Sequence, residues 1–362
     1  VLAEAFGKAP EADGSRRIAV LLPAKSGASG YAVDLPSSYL TGSDAKRFIE
    51  IVTPLGTFLL PGHMLANNED AKSADRVTLT FSITKAKTGA PGAAKFALVL
   101  LASTGGRELT FDHSGAFVEV RVPYEATAEE RGHSEGLNVW HIGKDGKLSL
   151  VPSGYYDAAA REMVFKTDHY STYAVSYFVR AFADMFKTPW AAEAVEALAS
   201  KGIINGVSAQ SFHPGASITR ADFAKLIVAA FGFKAPISSA GSFADVGEDD
   251  YYHEAVVIAA GLGIVRGKGD GKFYPEENVT RQDMFVMMAR ALERAGKKLP
   301  QSATAEYADA SAIAGYAREA AAFLTEQGLL QGGGDGMLHP ANESTRAEAA
   351  VLLYRLFNYV FR

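Results

Sequence analysis

Hydrophobic residues follow two different rhythms along this chain, and the change falls near residue 178. Before it, short alternating or continuous apolar runs occupy 76–84, 95–102, 117–123, 137–142, 147–151 and 162–167, separated by Gly, Pro, Asp and Asn. A period of two bounded by turn formers predicts strands, and many short strands predict an antiparallel sandwich or barrel. Residues 139–142, Asp145-Gly146 and 148–150 read as a hairpin with the Asp-Gly step as its turn. Residues 157–160 read as the next turn, leading into a strand at Met163-Val164-Phe165.

After residue 178 the period lengthens to that of a helix. Apolar residues fall at i, i+3, i+4, i+7 and i+8 in three places: Phe223, Leu226, Ile227, Ala230 and Phe231; Met284, Met287, Met288, Ala291 and Leu292; Ala349, Leu352, Leu353, Leu356 and Phe357. Each set predicts one buried stripe of an amphipathic helix, with the methionines as core filler. A capping pair stands before each stripe: Thr219 with Asp222, Thr280 with Asp283, and Thr345 with Glu348. A shorter helix precedes it. In the first copy that helix begins after Thr188-Pro189, carries Ala194, Val195 and Leu198 on one face, and stops at Lys201-Gly202.

The stripes belong to three copies of one unit. Trp190, Tyr251 and Tyr316 each precede a glycine (Gly202, Gly263, Gly328) by 12 residues; that glycine precedes Pro214, Pro275 or Pro340 by 12, and the proline precedes Arg220, Arg281 or Arg346 by 6. Only the step from Asp184, Asp245 or Asp309 to the aromatic varies, by one extra residue in the third copy. Three such registers mark an internal repeat.

One position in each copy goes against helix electrostatics. Arg220, Arg281 and Arg346 directly follow the cap, at the positive end of the helix dipole, where a cation is disfavoured by a few tenths of a kcal/mol. A helix N-terminus already attracts anions, and a guanidinium there makes a two-pronged receptor for carboxylate or phosphate. The competing reading is a salt bridge to Asp184, Asp245 or Asp309 of a neighbouring copy, and the two readings can coexist.

In these residues the chain resembles the S-layer homology family, whose pattern runs F-x-D-V, an aromatic-Ala pair, G-I-I-x-G, F-x-P and T-R-A-E. The first copy reads F-A-D-M, P-W-A-A, G-I-I-N-G, F-H-P and T-R-A-D; the second F-A-D-V, Y-Y-H, G-I-V-R-G, F-Y-P and T-R-Q-D; the third Y-A-D-A, Y-A-R, G-L-L-Q-G, L-H-P and T-R-A-E. The resemblance covers about residues 180–362. It implies a pseudo-threefold all-α bundle of repeats 179–237, 238–300 and 301–362, whose grooves bind an anionic secondary cell-wall polysaccharide, often with a pyruvylated amino sugar. It also implies site residues. The arginines would meet the carboxylate. Asp184, Asp245 and Asp309 are the family's early aspartate. Trp190, Tyr251 and Tyr316 would stack on sugar or pack in the core. Gly206, Gly267 and Gly332 would admit the ligand to the backbone or supply a turn. Gln282, Tyr307 and Ser344 depart from the pattern and make the third groove the least regular.

Composition narrows the function. A net charge of −5 and a pI of about 6.0 argue against a nucleic-acid binder. No cysteine is present, which excludes disulfides and thiolate chemistry. The start at Val1, without Met or a signal peptide, reads as a processed or excised fragment. No P-loop, H-E-x-x-H or G-x-S-x-G occurs, and the glycine runs at 267–271 and 332–336 lack P-loop or EF-hand spacing. The eight histidines, among them His63, His113, His133 and His141, do not cluster as metal ligands. The string Thr167-Asp168-His169-Tyr170-Ser171 is similar to the His-Phe-Ser site of autoproteolytic β-domains. If it lies on a strand, His169 and Ser171 share a face and could attack the Tyr170 carbonyl, although an ordinary structural strand is the weightier reading.

The expectation is an α+β multidomain chain. An antiparallel β-sandwich-like domain (1–178) serves as spacer or presenter, and the repeats anchor it non-covalently to a bacterial cell wall. We expect no enzyme activity, metal, cofactor, nucleic-acid partner or membrane insertion, and a monomer as a fragment. The alternatives are a piece of a polysaccharide-degrading enzyme whose β-domain aids glycan binding, and a structural S-layer lattice subunit.

Overall fold

The computed structural model describes residues 11–12, 15–85, 89, 92–110, 116–234, 243–297 and 307–362. His113 and the repeat boundaries at 237/238 and 300/301 lie outside the described residues. The chain divides into two compact units, Val1–Phe178 and Val179–Arg362.

The first unit is built from strands β1 (Glu11–Ala12), β2 (Ser15–Leu21), β3 (Gly30–Pro36), β4 (Arg47–Thr53), β5 (Gly56–Pro61), β6 (Arg76–Thr84), β7 (Ala93–Thr104), β8 (Arg107–Glu108), β9 (Val118–Pro123), β10 (Leu137–Ile142), β11 (Leu148–Leu150), β12 (Tyr155–Asp157), β13 (Glu162–Thr167) and β14 (Thr172–Tyr177). Two short helices join them, α1 (Glu69–Ser73) and α2 (Ala128–Gly132). One sheet has the order β1-β2-β4-β5-β9-β13-β12, and the other β11-β10-β14-β7-β6-β3, with β8 on β7. Alternation sorts the side chains: Val77, Leu79 and Phe81 of β6 and Val118, Val120 and Val122 of β9 are buried, while the residues between them are half-exposed. Both sheets feed one core, where Phe58 of β5 stacks on Phe81 of β6 at 4.0 Å.

Two expectations need correction. The sheets are not wholly antiparallel, because β2 pairs parallel to β4 from Arg16↔Arg47 to Leu21↔Val52. Between them the chain crosses to the other sheet as β3 and returns running the same way. Nor does a strand carry both His169 and Ser171. Asp168 to Ser171 form the connection between β13 and β14, so alternation places nothing there.

The second unit is helical: α3 (Ala192–Ser200), α4 (Arg220–Phe231), α5 (His253–Gly261), α6 (Arg281–Arg294), α7 (Arg318–Glu326) and α8 (Arg346–Phe361). The predicted stripes are buried apart from Leu226, which is half-buried. Thr188 is not a side-chain cap. Pro189–Ala191 makes a 3-10 turn first, and the Thr188 hydroxyl is buried with no hydrogen bond. The glycine stops hold, with Gly202, Gly263 and Gly328 at φ of 72, 71 and 70°.

The long helix of each copy packs on the short helix of the next: α4 on α5, α6 on α7, and α8 back on α3. The extended segments before the long helices close the circuit. Ile218 N–H donates to Ser344 O, Ser344 N–H to Val279 O, and Val279 N–H to Ile218 O, each at 3.0 Å. Bridges Ser217↔Thr345, Thr219↔Asn278 and Thr280↔Glu343 flank this ring, so the unit is helical around a small β-type hub and not wholly α. Ile218, Val279 and Ser344 are all buried there, and the Ser344 hydroxyl makes no hydrogen bond. A buried hydroxyl without a partner costs about 1–3 kcal/mol. Ser344→Ala should therefore raise the stability of this unit by about 1 kcal/mol in denaturant unfolding; a comparable loss contradicts that reading of the hub.

Candidate functional site

The hub sets where the three long helices begin. Thr219, Thr280 and Thr345 cap them, each hydroxyl accepting from the N–H of Asp222, Asp283 or Glu348 at 3.1, 3.3 and 3.2 Å. Only Glu348 closes the reciprocal half of the box, onto Thr345 N–H. The shorter aspartates are turned to other partners.

The three early aspartates hold the turn that feeds each hub strand. Asp184 accepts from Phe212 N–H and His213 N–H, both at 2.8 Å, and from the Ser211 hydroxyl at 2.7 Å. Asp245 does the same for Phe273 and Tyr274, and Asp309 for Leu338 and His339. His213, Tyr274 and His339 have φ of 57, 62 and 51°, a left-handed backbone that side chains disfavour. The carboxylates fix that turn. Burial pushes Asp184 up, but its hydrogen bonds outweigh this and hold it down to about 2; Asp245 and Asp309 are lowered by the same balance.

The arginines reach across to the next copy. Arg220 is 7% exposed; its Nε donates to Phe273 O at 3.1 Å, Nη1 to Asp283 at 3.3 Å and Nη2 to Arg266 O at 3.4 Å, and its guanidinium lies 5.0 Å from the Phe273 ring centre. Arg281 donates to Leu338 O at 2.6 Å and to Glu348 at 3.1 Å. Arg346 returns to the first copy, donating to Phe212 O at 2.9 Å and Asn205 O at 2.7 Å over the Phe212 ring. Burial lowers its pKa against the pull of Asp222, Asp184 and Tyr251. The side-chain ion pairs of Arg220 and Arg281 are thus with the capping acids Asp283 and Glu348, and not with Asp245 or Asp309. Among the described residues, Nη2 of Arg281 and Nη1 of Arg346 have no acceptor.

The aromatics are on the surface. Trp190, Tyr251 and Tyr316 are 58%, 62% and 60% exposed, which removes core packing as their role. Tyr251 donates to Asp222 at 2.9 Å and Tyr316 to Asp283 at 2.8 Å; burial of the hydroxyl and this bond push Tyr316 up to about 12. Trp190, at the equivalent place, has no hydroxyl to offer. Gly206, Gly267 and Gly332 are packing glycines: a Cβ would collide with the lead ring Phe182 at Gly206, and press on Phe243 and Tyr307 at the other two.

Around α6 these parts enclose a cavity of about 690 Å³, with Arg220, Arg266, Lys268, Asp283, Arg290 and Tyr316 in its wall. Sequence reasoning missed Arg266, Lys268 and Arg290, because they are absent from the other copies' equivalent positions or engaged there. A signal existed: Asp283, Val286, Met287 and Arg290 share one helix face at i, i+3, i+4 and i+7. In the first unit, Ser171 Oγ lies 2.8 Å from Nε2 of His141, while His169 Nδ1 lies 2.7 Å from Asp168. The imidazole at the serine is therefore His141 of β10, not His169. Among the described residues no cluster of three or more metal-ligating side chains occurs, and no helix is long and apolar enough to cross a membrane.

Two outcomes follow. Asp184, lowered from 3.8, contributes stability that is complete above pH 4 and is lost as pH falls towards 2. The second unit should lose thermal stability across that window, and Asp184→Asn should flatten the slope; an unchanged slope contradicts the clamp. Arg220→Ala, which takes from Asp283 its ion-pair partner and from two carbonyls their donor, should cost about 2–4 kcal/mol in denaturant unfolding. A loss under about 0.5 kcal/mol, the range of an ordinary surface change, refutes the staple.

The S-layer homology domain family matches this chain three times in tandem, at residues 181–224, 242–285 and 306–350. The chain is 31% identical over 204 residues to an amylopullulanase of Thermoanaerobacterium thermosulfurigenes, covering 56% of this chain and 11% of that protein. It is 35% identical over 180 residues to endo-1,4-beta-xylanase A of Thermoanaerobacterium saccharolyticum, covering 47% and 15%. It is 27% identical over 171 residues to the S-layer protein sap of Bacillus anthracis, covering 47% and 20%. The chain thus spans between about a tenth and a fifth of the length of these relatives. The further relatives include surface-layer proteins of Lysinibacillus sphaericus and Bacillus thuringiensis, and the family match together with these relatives puts this chain at the bacterial cell surface.

Proposed function

We propose that residues 179–362 anchor a surface protein to the cell wall by non-covalent binding of an anionic secondary cell-wall polysaccharide. The observation that carries this is an exposed aromatic ring at the same sequence position in each repeat, which in Tyr251 and Tyr316 sits beside an acid and an arginine from the long helices of the other two repeats. A flat exposed ring suits the face of a sugar, and the remaining N–H groups on Arg281 and Arg346 suit a carboxylate. A pyruvate ketal on an amino sugar would present such a carboxylate beside a sugar face. On this reading the three repeats form a pseudo-threefold bundle with three grooves.

The relatives support anchoring as the shared task. Enzymes named for different glycans and an S-layer protein share about half of this chain, and the S-layer homology matches lie in its repeats. We read the first unit as a two-sheet sandwich that spaces or presents a functional partner domain, with no catalysis of its own.

Purified walls should retain the chain in a sedimentation assay, and walls stripped of secondary polymer should not. Arg346→Ala, checked for intact folding, should weaken retention about tenfold, the effect of losing one charge-assisted contact worth about 1.4 kcal/mol. Equal retention on stripped and intact walls contradicts the proposal.

A further inference from the structure

The three grooves share a plan but not a charge. We infer that the groove around α6 takes a glycan segment with two negative charges, and that Arg266 and Arg290, not the repeat arginine Arg220, hold them. This inference rests on the anchoring reading above.

The charges of the wall cancel in pairs until two remain. Arg220 is matched by Asp283 at 3.3 Å, and its other bonds go to carbonyls. Lys268 is matched by Glu277. The Arg266 guanidinium has no hydrogen-bond or ion-pair partner among the described residues, and Arg290 gives only one N–H, to Ile264 O at 3.3 Å. These two guanidiniums stand close enough for Arg266 to disfavour the charge on Arg290, which burial disfavours first; Glu293 and Asp283 offset this only in part, and the net shift is downward. Two like charges held beside one cavity are an unfavourable arrangement for the empty protein and a favourable one for a dianion. The cavity, about 690 Å³, has the size of a small-molecule site. The exposed ring of Tyr316 at its wall offers a face for the sugar that carries the charges.

The other two grooves lack this pair. In the first repeat the equivalent positions are Asn205 and Ala229. In the third they are Gln331 and Arg355, and Arg355 donates to the Gln331 side chain at 3.0 Å. The difference lies outside the shared motif, at positions where substitution does not disturb the hub.

Calorimetric titration of the whole chain tests this with three probes: digalacturonate, which carries two carboxylates; glucose 6-phosphate, one phosphate dianion; and glucuronate, one carboxylate. One site should bind a dianionic probe at least tenfold more tightly than glucuronate. The better of the two dianions identifies paired carboxylates or phosphate as the natural source. Arg266→Gln with Arg290→Gln should abolish the preference, Arg355→Gln should leave it, and Asn205→Arg with Ala229→Arg should create a second site. Equal affinity for all three probes, or a preference that survives in the double glutamine variant, overturns the inference. Arg266→Gln alone, at an exposed position, decides the matter if the double variant misfolds, and should reduce the preference severalfold. Wall sedimentation of the same variants separates the two readings: a chain that prefers dianions but ignores walls keeps this groove and removes the anchoring.

Discussion

A closed circuit of three backbone hydrogen bonds, through Ile218, Ser344 and Val279, organises the helical unit. Each bond joins a segment from a different repeat, so no repeat completes the ring alone. The ring sets the start of α4, α6 and α8, and with it the direction in which each arginine leaves its helix. The arginine then crosses to the next repeat and caps the carbonyl of its left-handed turn. A cation at the positive end of a helix is costly in isolation. Here two carbonyls, or a carbonyl and a capping carboxylate, and an aromatic ring outweigh that cost. The same residue is therefore both a staple and, through its leftover N–H groups, part of a groove.

This double use explains how the grooves can differ while the bundle stays intact. Hub, staples and aspartate clamps use residues repeated in all three copies. The groove walls draw on positions between those residues, such as 205, 266 and 331, or 229, 290 and 355, and no structural bond of the hub depends on them. Charge can collect in one groove, as it does around α6, without weakening the ring. Because each long helix packs on the short helix of the following repeat, every groove is assembled from more than one copy.

Much of this was legible in the residue pattern, for identifiable reasons. Helix stripes, threonine caps and glycine stops are local, and they appear where the period and the end signals place them. The strands at 76–84, 137–142 and 162–167 match at both ends, because alternation and turn residues coincide there. Strands β2 to β5 were less visible, since 15–61 mixes Gly, Pro and Ser with its apolar residues. The parallel β2–β4 pair depends on a crossover between sheets, and no local pattern encodes that. At the site, Arg220, Arg281 and Arg346 stand out by their odd electrostatics, but their partners could not be read: Asp283 and Glu348 are 63 and 67 residues away from Arg220 and Arg281. His141 replaces His169 beside Ser171 for the same reason, as strand pairing brings together residues 30 apart.

The central claim is that wall polymer is held in the helical unit, at the groove around α6. Met287 lines that groove, whereas Met64 and Met163 lie in the core of the first unit. Methyl NMR of the methionines during titration with solubilised wall polymer reads the two units separately in the intact chain. This account predicts a saturable shift of the Met287 methyl while Met64 and Met163 stay fixed. Shifts confined to Met64 or Met163, or no shift at saturating polymer, would contradict it.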